Sequence, residues 1–358
     1  MMTPIDLIKY NIEAKQRLLT IAIPTFNRSG FLSRLLGAIE PQLKIFASQV
    51  EILICDNFSQ DNTQEVVRAF EANGLPMTYV RHSENLGMDR NILECFRRAS
   101  TEYVWIFGDD DVLLEGALAA LIPRLEQTHF AHICVGGYSF KGKLKRKWVP
   151  FQNIGPTRVT DNQDLLTTAN IMLFYISRNI VNKWAAYAPN GEALFEDYIG
   201  TFINQLGFIF AALRSNLPCL VIPQPMVAAQ SANSGGYGSC QVFGENLMTI
   251  VKREFPKRPE IHQLFANAVL EQLFPYQLNA LKKTDAFFHE DQYCLLKRVY
   301  KKNYRFWLYC CPIIFLPFPI SSAYSFCVRL ILKFKRVMFG SIRYWMMVIC
   351  SYLAKKSF

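Results

Sequence analysis

Tyr103-Val104-Trp105-Ile106-Phe107-Gly108-Asp109-Asp110-Asp111 is the stretch on which the reading of this chain turns. Five apolar or aromatic residues in a row, two of them β-branched, have the length and composition of a strand buried on both faces. The run stops at a glycine and three adjacent acids. Neighbouring carboxylates repel one another, and a cation or solvent must relieve the repulsion. A hard divalent cation takes one or two carboxylates together with phosphate oxygens of a substrate. Acids also suit the N-terminus of a following helix, here Gly116 to Glu126, where the helix dipole favours negative charge. Taken alone, the acidic run fits either use.

Outward from this strand, the first third of the chain alternates two periods. Leu18 to Pro24, Val50 to Cys55 and Met77 to Val80 are short apolar runs that read as strands. Gly30 to Glu40 places Phe31, Leu32, Leu35, Leu36 and Ile39 at helical spacing, and Arg90 to Ala99 does the same with Ile92, Leu93 and Phe96. Asp61-Asn62-Thr63-Gln64 reads as a capping box opening a helix to about Asn73. Strands alternating with helices of this length predict βαβ units, a mostly parallel, Rossmann-like sheet with helices on both faces. Ligands of such sheets bind beyond the carboxyl ends of the strands. Three of those ends are polar here: Thr25-Phe26-Asn27-Arg28, Asp56-Asn57 and Asp109-Asp110-Asp111. Asp56 suits a base or ribose donor, and equally a cap or an Asx-turn. Arg28 and Arg90 suit phosphate, or a solvated surface.

Farther on, Ala131 to Val135 and Leu217 to Val221 read as strands, and a helix is expected from Leu194 through Glu196-Asp197 to Leu213. Ser231 to Ser239, rich in Gly and Ser, reads as a mobile loop, and Glu245 to Lys283 as mostly helical.

The 358 residues are 51% hydrophobic and 19% charged, which excludes a disordered chain. The net charge of +10 suggests nucleic acid, but its location argues against that partner. No acid follows Asp291, whereas 12 of the 39 basic residues do. The remainder is close to neutral. Phe306 to Val328 carries no charge, is bounded by Arg305 and Arg329, and contains Pro312, Pro317 and Pro319. Proline and basic flanks on both sides fit a segment lying in or dipping into one leaflet better than one that crosses. Ten cysteines without a C-x-x-C pair point to a reducing compartment. Met1 to Thr20 lacks the apolar stretch of a signal peptide. The expected location is the cytoplasmic face of the inner membrane, held peripherally or monotopically. The five histidines form no ligand set.

The segment Ile21 to Leu125 resembles glycosyltransferase family 2. Four motifs carry the resemblance: Ile21-Ala22-Ile23-Pro24-Thr25-Phe26-Asn27-Arg28, then Glu51 to Thr63, then Asn85-Leu86-Gly87-Met88-Asp89-Arg90-Asn91, then Gly108-Asp109-Asp110-Asp111. The resemblance implies the GT-A fold and inverting transfer from a nucleotide-sugar donor with Mg2+ or Mn2+. It implies that Pro24, Thr25, Asn27, Arg28, Asp56, Asp89, Arg90 and Asp109 bind the nucleotide sugar. Asp110 and Asp111 would bind the metal. The commonest family pattern has an acid where Gly108 stands, which leaves the ligation register open by one residue. Members place the general base in an acidic pair after the metal strand. Glu196-Asp197 matches it, with Asp197 the expected base and Glu196 the alternative. The loop around Ser234 to Tyr237 would close over the diphosphate. The Phe107 to Asp111 variant is similar to that of bacterial O-antigen enzymes, for which an undecaprenyl-diphosphate-linked glycan is the natural acceptor. The domains so read are a lead-in helix (1–17), a GT-A domain (18–256) and a helical, membrane-contacting extension (257–358). Two rivals are a non-catalytic sugar-nucleotide or lipid-binding protein and a nucleotidyltransferase. The second would carry a Gly-rich basic loop where Pro24 to Arg28 stands.

Overall fold

The computed structural model describes residues 17–142, 144, 157–168, 170–187, 193–230, 236–282 and 290–335. The expected lead-in helix, most of the Gly/Ser loop and the end of the tail lie outside these residues. The chain divides into two compact units, Met1–Asn233 and Ser234–Phe358.

The first unit is built on β1 (Leu19–Thr25), α1 (Ser29–Phe46), β2 (Val50–Asp56), α2 (Thr63–Glu71), β3 (Met77–Arg81), α3 (Met88–Arg98) and β4 (Tyr103–Ile106). These are the strands and helices expected from periodicity, with ends moved by a residue or two except at the C-terminus of α1. Then come β5 (Val112–Leu113), α4 (Ala117–Gln127), β6 (His132–Phe140), β7 (Arg158–Thr160), β8 (Asn179–Asn182) and β9 (Cys219–Gln230). All nine strands form one sheet in the order β3-β2-β1-β4-β8-β6-β9-β5, with β7 also paired to β9. Strands β3, β2, β1 and β4 run parallel. Beyond β4 the sheet is mixed: β8 is antiparallel to β4 and β6, and β6 is parallel to β9. The core joins Leu19, Ile21 and Ile23 of β1 to Leu32, Leu35, Leu36 and Ile39 of α1 and to Trp105 and Phe107, all fully buried. Each such side chain stabilises the fold by roughly 1.5–3 kcal/mol relative to exposure.

Three departures from the sequence reading have physical causes. Helix α1 runs on through Pro41, because Gln42 and Leu43 beyond it are buried. Gln42 Nε2 donates to the Leu114 carbonyl (3.0 Å) and its Oε1 accepts from Leu118 N (3.1 Å). Those bonds tie α1 to the segment just after the acidic run, which offsets the donor lost at the proline. Asp61 caps α1 as well as its own turn, since its Oδ2 accepts from Ser29 N at 2.8 Å. The helix expected from Leu194 to Leu213 is two pieces, Ala193–Glu196 and Gln205–Ala212. Gly200 (φ 86°) and Phe202 (φ 60°) lie in the left-handed region between them, and Asp89 of α3 fixes the break. Its Oδ2 accepts from Gly200 N (2.8 Å) and Phe202 N (2.9 Å).

Strand β9 continues past the expected Val221 to Gln230, through Pro223 and Pro225. It is accommodated by two register shifts against β6, at Gly136 and Gly137. A Cβ at Gly136 would lie 2.0 Å from the Pro223 carbonyl oxygen, and one at Gly137 2.6 Å from that of Val227. Only glycine admits so close a backbone approach. Gly136→Ala must displace β9 and is expected to lower unfolding free energy by about 1–3 kcal/mol. Urea denaturation of the two proteins measures it, and equal midpoints would contradict the close approach.

Candidate active site

The parallel registers bring three strand ends to one level. Thr25 pairs with Asp56 across β1 and β2, and Ala22 with Ile106 across β1 and β4. Phe107 N still donates to the Ala22 carbonyl (2.8 Å), so the chain leaves the sheet at Gly108. The acidic run therefore stands directly over the carboxyl end of the sheet.

Its three carboxylates have different surroundings. Asp109 is buried; its Oδ2 accepts from Thr25 Oγ1 (2.8 Å) and its Oδ1 from Arg28 (3.1 Å). Arg28 also reaches Asp110 Oδ2 at 3.2 Å. Burial opposes the guanidinium charge, but Asp109 and Asp110 together outweigh it and raise its pKa. Burial, with Asp110 beside it, pushes Asp109 up to about 6 against the pull of Arg28. Asp111 accepts at Oδ1 from Gln230 N (2.9 Å) and takes a hydrogen bond from the Ser177 hydroxyl. Burial and then Asp110 push it up to about 7. The run thus gathers more negative charge than Arg28 offsets.

Gly108, which stands where the commonest pattern has an acid, packs closely against the next two carboxylates. A Cβ there would lie 3.2 Å from Asp110 Oδ1, 3.4 Å from Asp111 Oδ2 and 3.4 Å from Ser177 Oγ. Two carboxylate oxygens therefore converge beside the Gly108 Cα, in space that a side chain would fill. Gly108 N donates to Ser177 Oγ (2.9 Å), which holds the turn. Two converging hard oxygen donors with unbalanced charge fit Mg2+ or Mn2+, which complete their shells with water and substrate phosphate. Among the described residues no group of three or more acidic, His or Cys side chains could hold a metal. Asp110 and Asp111, the pair expected to hold a metal, are two carboxylates whose placement beside Gly108 fits one.

Other residues expected at the site are placed less uniformly. Pro24 is half-buried, next to Thr25. Asp56 is fully buried, accepting from Ser59 N (2.9 Å) and Tyr79 Oη (2.5 Å), with Arg81 Nε at 3.7 Å. Asn27, at φ 52°, receives Gln60 N on its Oδ1 (2.7 Å), while its own N–H goes to Ser59 Oγ (2.8 Å). Asn27 therefore fastens the β1 end to the turn after β2, and Asp56 fastens that turn to β3. Asp89 is likewise buried in holding Gly200 and Phe202, and desolvation raises its pKa. These three are expected to touch the nucleotide; each also hydrogen-bonds to neighbouring segments, while Asp89 Oδ1 has no hydrogen-bond partner among the described residues. Arg90 is half exposed, 3.5 Å from Glu196, which Arg97 also meets at 2.8 Å. Such surface pairs are worth only about 0–1 kcal/mol, so Glu196 is not locked by them. Asp197 is exposed in the turn that follows.

Several residues around the acidic run were not legible in the sequence. Arg34 of α1 donates to the Asp110 carbonyl and to Gln230 Oε1 (3.3 Å), clamping the run to the end of β9. Ser177 and Arg178 precede β8, which lies next to β4. Arg178 donates to the Gly137 carbonyl and packs on Tyr175 at 5.5 Å. Burial lowers its pKa, with Asp111 among the groups opposing that shift. Arg81, over the Phe58 ring at 4.6 Å and bonded to Ser59 O at 2.9 Å, borders the β2 end. His129 and His132 are structural, bonded to Glu102 (2.7 Å) and Asn179 (2.9 Å).

Comparison with known proteins agrees with this geometry. Residues 20–183 match the family model for glycosyl transferase family 2. The abequosyltransferase RfbV of Salmonella typhimurium is 41% identical over 118 residues, 33% of this chain and 35% of that protein. The GalNAc(5)-diNAcBac-PP-undecaprenol beta-1,3-glucosyltransferase of Campylobacter jejuni is 30% identical over 116 residues, 32% and 36% of the two chains. The matched region thus spans about a third of the length of each of these relatives. Among solved structures, TarS 1–349 of S. aureus in complex with UDP-GlcNAc superimposes with a TM-score of 0.53 at 16% identity, covering 90% of this chain and 92% of that one. That level of identity speaks for the fold alone, a GT-A arrangement. Residues 20–183 of this chain are accordingly similar to glycosyltransferase family 2.

Proposed function

We propose that this protein is an inverting, metal-dependent glycosyltransferase that moves a sugar from a nucleotide-sugar donor to a lipid-linked glycan during assembly of O-antigen or another surface polysaccharide. The observation that carries the reading is the convergence of Asp110 Oδ1 and Asp111 Oδ2 beside Gly108, at the carboxyl end of a parallel sheet. A divalent cation bound there supplies charge neutralisation for a departing diphosphate. The chain's own residues do the rest. Arg28, already paired with Asp109 and Asp110, is placed to exchange part of that pairing for phosphate oxygens. Thr25 and Asp109 line the same strand end, and Arg81 and Arg90 border it on the β2 and α3 sides.

The general base must take the proton of the acceptor hydroxyl while its oxygen bonds the anomeric carbon and the bond to the diphosphate breaks on the opposite face. Asp197 is the assigned base: exposed, and on a turn whose following residues Asp89 holds in place. Glu196, beside Arg90 and Arg97, is the alternative base. The names of the two curated relatives support a lipid-diphosphate-linked saccharide as acceptor and a hexosyl or deoxyhexosyl donor. Such an acceptor places the reaction at the cytoplasmic face of the inner membrane.

The donor-site reading is tested by thermal unfolding with a panel of nucleotide sugars, with and without Mn2+. One donor at about 100 times its Kd should stabilise the fold by roughly 2.7 kcal/mol, and more with the metal than without. No response to any nucleotide sugar would overturn the reading. The base assignment makes a separate demand. Asp197→Asn should lower kcat by about a hundredfold to ten-thousandfold while leaving donor stabilisation intact, and unchanged turnover would move the base elsewhere.

A further inference from the structure

The C-terminal unit contains a helix whose polarity is inside out. Residues 318–335 are helical. The inward stripe is Ser321, Ser325, Val328 and Leu332, spaced four, three and four residues apart and all buried. Half of that stripe is serine. Ser321 Oγ lies 3.2 Å from Asn279 Oδ1 and 3.1 Å from the Phe318 carbonyl, and Ser325 Oγ donates to the Pro275 carbonyl. The outward side carries Ile320, Phe326, Leu330, Ile331 and Phe334, with Ile331 63% and Phe334 73% exposed. A helix packed in a water-soluble protein has the opposite arrangement. Apolar faces of this extent are left bare where another apolar phase covers them.

Charge identifies the cover. Arg329 and Lys333 sit on the exposed side of the same helix, and no acidic residue follows Asp291. Lys335 is engaged by Glu271 at 3.5 Å. A second copy of the chain would bring like charges together across the face. An anionic lipid surface satisfies both features, because it offers phosphates to the cations and acyl chains to the aromatic and aliphatic residues. Among the described residues no helix is long and apolar enough to cross a membrane. The preceding helical stretch ends in Phe315, 66% exposed, just before Pro317 turns the chain. That geometry suits a helix lying along the interface.

We propose that the outer face of helix 318–335 is a docking surface for an anionic membrane, with Phe326, Leu330, Ile331 and Phe334 entering the acyl boundary and Arg329 and Lys333 meeting lipid phosphates. The surface is independent of the donor chemistry, while its link to a lipid-linked acceptor rests on the proposed function.

The test is co-sedimentation of the full chain with vesicles of phosphatidylethanolamine and phosphatidylglycerol, against vesicles of phosphatidylcholine. Wild type should bind the anionic vesicles, and bind the neutral ones about tenfold more weakly. The double variant Ile331→Gln, Phe334→Gln should lose about tenfold or more of that binding with an unchanged circular dichroism spectrum. Should that variant not fold, Arg329→Gln, Lys333→Gln must weaken binding to the anionic vesicles alone. Absence of vesicle binding by wild type, or equal binding by the variants, overturns the proposal. So does a wild-type dimer that the double variant converts to monomer with vesicle binding unchanged. Loss of nucleotide-sugar binding with vesicle binding intact would instead count against the transfer reading alone.

Discussion

Mutual repulsion of Asp109, Asp110 and Asp111 at the end of β4 is the constraint around which the first unit is arranged. Two carboxylates repel by roughly 4 kcal/mol at 4 Å and an effective dielectric of about 20, and the one guanidinium that meets the run, Arg28, is shared between Asp109 and Asp110. The fold answers with several partial remedies. Thr25 and Arg28 come from the end of β1 and the start of α1, Gln230 N from the end of β9, and Ser177 from the turn before β8. Each is delivered by a different element, so the acidic run is held only when both halves of the sheet are in register. Burial nevertheless leaves the pKa of Asp109 and of Asp111 raised above the ordinary carboxylate range. The remaining imbalance is what a divalent cation and a diphosphate would remove.

The same economy explains the buried carboxylates that face away from that point. Asp56 binds Ser59 N and Tyr79 Oη, and Asp89 binds the N–H groups of Gly200 and Phe202. A carboxylate at a strand or helix end can serve a ligand or the chain's own orphaned backbone donors, and both uses leave the same trace in a sequence. Here the inward use ties the turn after β2 to β3 and breaks the helix after Glu196-Asp197. The residues left facing outward, Arg28, Arg81, Arg90 and Asp197, are correspondingly more exposed.

Much of the fold was legible in the sequence where the signal is local. β1 through β4 and α1 through α4 appear as apolar runs and helical stripes, since each buries a continuous face. β8 was not legible: its Asn179 and Asn182 are polar residues whose burial depends on distant partners such as His132 and Glu102. The length of β9 was hidden by Pro223 and Pro225, tolerated because Gly136 and Gly137 let the neighbouring strand come close. The candidate site divides the same way. The acidic run and Arg28 stand out by type and position. Arg34, Ser177 and Gln230 do not, being single residues brought in from distant segments. The uncharged stretch after Arg305 was legible as apolar; which residues face out, and that serines face in, required the helix packing.

The central claim is that Asp110 and Asp111 form a metal-and-diphosphate site. Its most direct test is the electron paramagnetic resonance signal of Mn2+ titrated with the protein in the presence of nucleoside diphosphates. The account predicts that the free-ion signal disappears as about one Mn2+ binds per chain, that the matching diphosphate tightens this binding, and that Asp110→Asn and Asp111→Asn each restore the free signal. A free-ion signal unaffected by the wild-type protein with every nucleoside diphosphate, or equal Mn2+ binding by both variants, would contradict it.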